Sequence, residues 1–307
     1  MNKLILTTGK MLAAALGLAL AFSCQQGREA SLPQYEHVVI LGFDGFAGTA
    51  LDSTDRMPFL KGMMAKGAWT TQKRSILPTS SAANWAAMVM GAGPEATGYT
   101  QWDTRESVFT PAVRGRNGIF PTVFTQFREA FPRGESACFR QWEGIDYVVD
   151  SAAVSTLRAF PDSEAGIEEM ARGAAQYFLE KKPALALFAW DYPDHTGHSL
   201  GWYTPDYYDM LARLDKTIET VVSAVESSDV AGRTLIIVTT DHGGHGHGHG
   251  KELDSDLFGP LVFYGPKVRA GALKGTVYQY DIAATVAAVL GLPVPPAWRG
   301  VPVPFGR

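Results

Sequence analysis

Carboxylates and imidazoles gather at three places in the chain. Asp44 follows the apolar run Val38-Val39-Ile40-Leu41 through Gly42-Phe43. Asp191 and Asp194 follow the run from Ala184 to Trp190, and Asp241-His242 follow Leu235-Ile236-Ile237-Val238. Six of the seven histidines lie between His195 and His249, so imidazole is concentrated beside two of those aspartates. The spacing Asp194-x-x-x-His198 is one helical turn, which puts carboxylate and imidazole on the same side of the chain. Zinc accepts imidazole nitrogen and carboxylate oxygen together, whereas magnesium and calcium favour oxygen alone. A single aspartate reads as a helix cap or a solvated loop. The set reads as a divalent-metal site. The tract Gly243-Gly244-His245-Gly246-His247-Gly248-His249-Gly250 reads by itself as a weak metal-scavenging segment. Beside Asp241-His242 it reads as a flexible arm that returns one further ligand.

A nucleophile is expected where Leu77-Pro78-Thr79-Ser80-Ser81 runs from a strand into a helix. Trp85, Met88 and Val89 share that helix's apolar face. A serine at a helix start lies among free backbone N–H groups, which stabilise an anion or an alkoxide. The ordinary role of such a serine is an N-cap.

These residues need a scaffold that brings distant positions to one edge. The four runs Val38–Leu41, Ala184–Trp190, Leu235–Val238 and Leu261–Tyr264 are apolar on both faces. Such strands belong to a parallel sheet covered by helices. Between them, Tyr207, Leu211, Leu214, Ile218, Val222 and Val225 recur at helical spacing, with Thr204 as cap and Pro205 in the first turn. Ile167, Met170, Ala171, Ala174 and Phe178 form a second stripe. Asp281 to Leu290 predicts a short helix with Asp281 as cap and Gly291 as stop. Ser136 to Phe139 predicts a strand with Cys138 buried. The expected fold is α/β: a doubly wound, mostly parallel sheet with helices on both faces, its ligand site beyond the carboxyl ends of the strands.

Composition agrees with a folded domain. The chain has 307 residues, 46% of them hydrophobic, and a formal charge of −4, which excludes a disordered chain. No basic stripe points to a nucleic-acid polymer. Cys24 and Cys138 are too few for a disulfide framework. Lys3 and Lys10 precede an apolar run from Met11 to Phe22, then Ser23 and Cys24. This resembles a bacterial lipoprotein signal. The expected division is a signal over 1–23, lipid on Cys24, a tether over 24–35 and one catalytic domain over 36–307. The expected location is the periplasm or cell surface, with membrane contact only through the lipid.

Asp44 in Gly-Phe-Asp-Gly, Pro78-Thr79-x-Ser81, Asp194-x-x-x-His198 and Asp241-His242-Gly243 occur in the order of the alkaline phosphatase superfamily. More narrowly, the chain resembles its type I phosphodiesterase/nucleotide pyrophosphatase branch from about Val38 to Gly300, including the stretch from Asp281 to Pro296. The resemblance implies an alkaline phosphatase-like fold and two divalent ions, of which zinc is expected. One ion would be held by Asp44, Asp241, His242 and the Ser81 oxygen. The other would be held by Asp194, His198 and His249, with His247 as the alternative. It implies Ser81 as nucleophile, with Ser80 adjacent, and a phospho-serine intermediate formed from a small phosphate ester. Two divalent ions against three aspartates and an alkoxide leave the site near neutral, ready for an anion.

One departure stands out. The family's phosphoryl-binding Asn falls near Trp102, in Gly98-Tyr99-Thr100-Gln101-Trp102-Asp103, so Asn84, Gln101 or a backbone N–H is expected in its place. Trp102, Trp190, Tyr192, Trp202 and Tyr203 are candidates to border the pocket and stack an aromatic leaving group. Arg74 and Arg140 are candidates for the extra phosphate oxygen of a monoester, and a diester is preferred. The alternatives are a phosphomonoesterase, a phosphonate hydrolase, a sulfatase (no Cys/Ser-x-Pro-x-Arg segment is present) or a non-catalytic metal-binding lipoprotein. Oligomeric state is not legible in the sequence.

Overall fold

The computed structural model describes residues 34–111 and 113–306. The signal segment, Cys24 and the tether up to residue 33 lie outside the described residues. Among the described residues eight strands form one sheet: β1 (His37–Phe43), β2 (Ala68–Arg74), β3 (Ser136–Arg140), β4 (Thr156–Ala159), β5 (Leu185–Trp190), β6 (Thr234–Thr240), β7 (Phe258–Tyr264) and β8 (Gly271–Ala272). Their order is β4-β3-β5-β1-β6-β7-β2-β8. The pairings β4–β3–β5–β1–β6 are all parallel. The fourth apolar run departs from the parallel expectation, because β7 is antiparallel to both β6 and β2. The chain leaves β6 at the edge that carries Asp241, makes the His-Gly loop there and re-enters the sheet at the same edge. Between β6 and β7 the described chain has only the one-turn helix Asp254–Leu257, far less than the crossover a parallel return needs.

Alternation along the strands builds two cores. Val38, Ile40, Leu185, Leu187, Leu235 and Ile237 face the helices Ser81–Met90, Val123–Ala130 and Asp281–Leu290. Val39, Leu41, Phe188, Ile236 and Val238 face Pro58–Lys66, Glu164–Lys181 and Pro205–Ser227. Each buried Leu, Ile or Val contributes about 1.5–3 kcal/mol, so the central strands anchor the edge that follows them. Thr204 caps Pro205–Ser227 by accepting the Tyr207 N–H. Asp281 does not cap its helix. Tyr280 holds the cap position, and the Asp281 carboxylate accepts from Tyr278 N (2.8 Å) and Val301 N (2.9 Å), tying down the C-terminal segment. Cys138 is fully buried, and burial raises its thiol pKa, so it is an inert core residue. Among the described residues no helix is long and apolar enough to cross a membrane.

Candidate active site

Four strand ends meet at one edge. Asp44 follows β1, Asp194 follows β5, and Asp241-His242 follow β6. Ser81 opens the helix that comes after β2. Backbone bonds lock the first three together: Asp194 N donates to Asp44 O (3.0 Å), and Gly45 N donates to the Asp241 carboxylate (3.2 Å). Gly45 has φ +70°, and a Cβ there would lie 2.7 Å from Asp194 Cα, so the turn leaves no room for a side chain. Trp85 links core and site. Its indole N–H donates to Asp44 Oδ2 (2.9 Å), and its ring lies where a Cβ on Gly42 would stand.

Ser81 is the first residue of a helix whose ten residues are all buried. Ser80 holds the cap position and makes no side-chain cap bond. The Ser81 hydroxyl donates to His242 Nε2 (3.2 Å), because His242 Nδ1 already donates to Gly243 O (2.8 Å). Asn84 does not face the cleft. Its amide donates to the carbonyls of Ile76, Pro78 and Ser80 and accepts from Ile76 N, so it clamps the loop ahead of the serine. Gln101 also lies away from Ser81, in a neighbouring groove. Of the expected stand-ins, neither side chain reaches the serine.

Each imidazole is oriented through Nδ1. His249 Nδ1 donates to Thr79 O (2.8 Å), and His198 Nδ1 donates to His247 O (3.0 Å). In the neutral ring Nε2 is then the atom with the free lone pair, which is how protein structures present histidine to a metal. Asp44, Asp241 and His242 place ligand atoms within 4.8 Å of one another, as do Asp194, His242 and His249. His242 thus stands between the two groups. His198 is half-exposed at the outer side, with Nε2 3.3 Å from Asp194 Oδ2. Three buried carboxylate oxygens, Asp44 Oδ1, Asp194 Oδ1 and Asp241 Oδ2, have no hydrogen-bond partner. Leaving a buried anion uncompensated costs several kcal/mol, and protein interiors pair such oxygens or place a cation on them. The mixed oxygen and imidazole donor set fits zinc.

Electrostatics express the same crowding. Burial, then the neighbouring Asp241 and Asp194 charges, hold Asp44 well above the usual carboxylate range. Burial and Asp194 push Asp241 up to about 7. Burial opposes ionisation of Asp194, but the His198 hydrogen bond and the surrounding imidazoles bring its pKa below normal. The Asp194 hydrogen bond in turn raises His198 to about 9, while burial lowers His249 to about 4. Lys73, fully buried beneath Asp241, is lowered by burial to about 7 and donates to Thr240 O and Gln279 Oε1.

The His-Gly tract is sorted by its folding. His245 pairs through Nδ1 with buried Asp256 (2.8 Å), which also accepts from Lys251 N (2.9 Å). His245 and Gly248 exchange backbone bonds across a tight turn. The exposed His247 donates to His198 O (3.1 Å). His249 alone of the three reaches the centre, stacked on His242 with ring centroids 4.0 Å apart. His249→Ala is expected to lower affinity for one metal by about 100-fold, with His247→Ala near wild type, read by metal titration. Equal losses would contradict this assignment.

The aromatic candidates divide. Trp102 is 58% exposed and lines a cavity of about 690 Å³ with Ser81, Asp194, His198 and His249. Tyr192 is buried and stacks on His195 (5.3 Å). Trp202 is buried, donates to Gly45 O (3.0 Å) and packs against His198 and His249, so it props the ligands from behind. Trp190 stacks on Phe43 in the core, and the Tyr203 hydroxyl bonds Thr49. None of these four borders the cavity. Their apolar bodies fill space under the strand ends, where burial outweighs exposure at the rim. Sequence reasoning missed Trp142, Asp191 and His195 as lining residues and Asp256 as the organiser of the tract. Asp191 carries a signal, since it directly follows β5. Trp142 carries none.

The fold and the convergent carboxylates and imidazoles define an alkaline phosphatase-like α/β protein with a buried candidate metal centre. A solved member of that superfamily from Vibrio parahaemolyticus superposes with a TM-score of 0.67 over 88% of this chain and 70% of its own, at 13% identity. The sequence matches the type I phosphodiesterase/nucleotide pyrophosphatase family over residues 38–249, and the chain belongs to that family. Human ectonucleotide pyrophosphatase/phosphodiesterase family member 5 is 24% identical over 244 residues, covering 75% of this chain and 48% of that protein. The chain therefore spans about half the length of this relative and of the murine family member 7. Murine ectonucleotide pyrophosphatase/phosphodiesterase 5, solved as an inactive variant in complex with AMP, has a TM-score of 0.67 at 16% identity, covering 86% of this chain and 96% of that one.

Proposed function

We propose that the chain hydrolyses phosphodiesters through a phospho-Ser81 intermediate at a two-zinc centre. One observation carries this reading: three partnerless buried carboxylate oxygens converge beside the Ser81 hydroxyl and the His242 and His249 rings. Asp44, Asp241, His242 and Ser81 Oγ would hold one ion, and Asp194, His198 and His249 the other. Bound ions would offset the carboxylate charge and acidify the serine hydroxyl toward neutral pH.

The chain's own groups supply positioning. Without an ion His242 Nε2 accepts from the Ser81 hydroxyl, which keeps both ligand atoms at one point, and Ser81 opens a helix whose N-terminal end carries positive partial charge. Ser81 Oγ bonds to phosphorus, the ester oxygen opposite departs as an alcohol, and a phospho-serine remains. Water then cleaves that ester and restores Ser81. Such displacements depend chiefly on alignment and charge, which this rigid edge provides.

Among the described residues no lysine or arginine lines the cavity at Ser81. Arg140 is engaged with Asp146, and Arg74 is not among the lining residues. A dianionic monoester would meet no protein cation, which favours a monoanionic diester. With zinc present, bis-nitrophenyl phosphate or nitrophenyl thymidine phosphate should exceed nitrophenyl phosphate in kcat/KM by about tenfold or more. Preference for the monoester, or for nitrophenyl sulfate, would overturn the diester reading.

We also propose export with a lipid on Cys24, from the Lys3–Cys24 pattern. A mature protein should begin at Cys24 with an acyl mass addition, and a mass without it would end that claim.

A further inference from the structure

The cavity at Ser81 does not end at Trp102. Trp102 and Trp142 form a shared wall with a second cavity of about 590 Å³, which continues past Arg105 and Tyr147 into a third of about 460 Å³. The groove has a built floor. Residues 98–122 contain no helix or strand among the described positions, and ordered loops of that length are uncommon in compact domains, with binding among their usual roles. This loop is fastened to the segment 143–150. Tyr99 Oη donates to Tyr147 O (2.7 Å), Asn117 Nδ2 donates to Asp150 (2.9 Å), and Arg105 pairs with Glu143 (2.6 Å) while lying over the Tyr147 ring (5.4 Å).

The lining selects the occupant. Beyond the metal centre it offers two indoles, a phenol ring and planar polar groups, with carboxylates in excess. The second cavity sets Asp103, Glu106 and Glu143 against Arg105, the third adds Asp146 and Asp150 against Arg114, and the first adds Asp191. A polyanionic chain would be repelled, and an acyl chain would desolvate these carboxylates without replacing their hydrogen bonds. A polyhydroxylated ring meets both demands. Its C–H face covers an indole, whose π face is negative, and its hydroxyls donate to the carboxylates. We propose that the groove binds a neutral glycosyl chain attached to the phosphodiester, with Trp102 and Trp142 as the platforms nearest the phosphorus. This rests on the phosphodiesterase reading for its attachment point.

Two measurements separate that reading from the groove. The first is binding of neutral oligosaccharides of the gluco, galacto, manno and N-acetylhexosamine series to the full chain, followed by tryptophan fluorescence and calorimetry. At least one series should bind, and Trp142→Ala should weaken it about tenfold, with Trp142→Phe recovering most of the loss. The second is the ratio of kcat/KM for a nitrophenyl phosphodiester carrying the bound sugar to that for methyl nitrophenyl phosphate. It should be about ten or more and should fall toward one in Trp142→Ala and Glu143→Ala. Binding of no series, or a ratio near one in the wild type, overturns the inference, as does a higher ratio for a thymidine or alkyl-ammonium diester. Oligosaccharide binding without turnover of any diester supports the groove and sinks the hydrolase reading instead.

Discussion

Ser81→Ala is expected to lower kcat by about 10⁴-fold or more, the range seen when an enzyme loses its attacking group. Among the described residues Ser81 is the one hydroxyl hydrogen-bonded to His242 Nε2 and lining the cavity, whereas Ser80 does not line it. Alanine removes one ligand atom and leaves Asp44, Asp241 and His242 in place, so metal content should fall little. The discriminating result is therefore turnover lost with metal retained. A rapid quench of the wild type should find phosphate on the Ser81 peptide during turnover. Ser80→Ala should keep activity within about tenfold, since its side chain caps nothing and lies outside the cavity. Full activity in Ser81→Ala, or phosphate on Ser80, would move the nucleophile.

Metal removal should both silence the protein and soften it, by an amount that depends on pH. In the metal-free chain Asp44 and Asp241 have folded pKa values raised above the ordinary 3.8, to about 7 for Asp241. Their stabilising contribution is complete below that ordinary value and is lost as pH rises through the folded one. His198, raised from 6.5 to about 9, adds a contribution lost as pH rises across that interval. His249, lowered from 6.5 to about 4, opposes them, because its contribution is present above 6.5 and lost as pH falls toward 4. Between about pH 4 and 6.5 the raised carboxylates oppose His249, and between about 7 and 9 Lys73, lowered from 10.5 to about 7, opposes His198. Stability of the stripped protein should therefore fall as pH rises from about 4 to 7. Zinc affinity moves the other way, because ions compete with protons for these ligands. At pH 8 the zinc-loaded chain should melt about 10 °C above the chelated one, and the gap should narrow toward pH 5. Calorimetry of both forms across pH 5–9 measures this. Equal melting temperatures at pH 8 would mean that no ion sits on the partnerless oxygens.

Much of this was legible before folding was considered. Apolar runs report buried strands because a strand covered on both faces has no polar face to show. The residue after each run then lies at the sheet edge, which is how Asp44, Asp194 and Asp241-His242 could be grouped across two hundred positions. Pro78-Thr79-x-Ser81 marked the helix start in the same way, and Thr204 and Pro205 marked another.

Tertiary contact decided what identical local chemistry left open. His245, His247 and His249 are equivalent by composition and spacing; Asp256, His198 O and Thr79 O, each far away along the chain or across a turn, sort them. Tyr192 and Trp202 have the same apolar bodies and polar tips as Trp102, yet two are packed under the strand ends and one stands at the rim. The direction of β7 depends on where the loop from β6 returns, and the role of Asn84 on the carbonyls of the chain ahead of it. Chain order and periodicity encode what a residue contributes to its own element. Which of several like residues meets a distant partner is set by long-range packing, and only the assembled sheet edge contains that information.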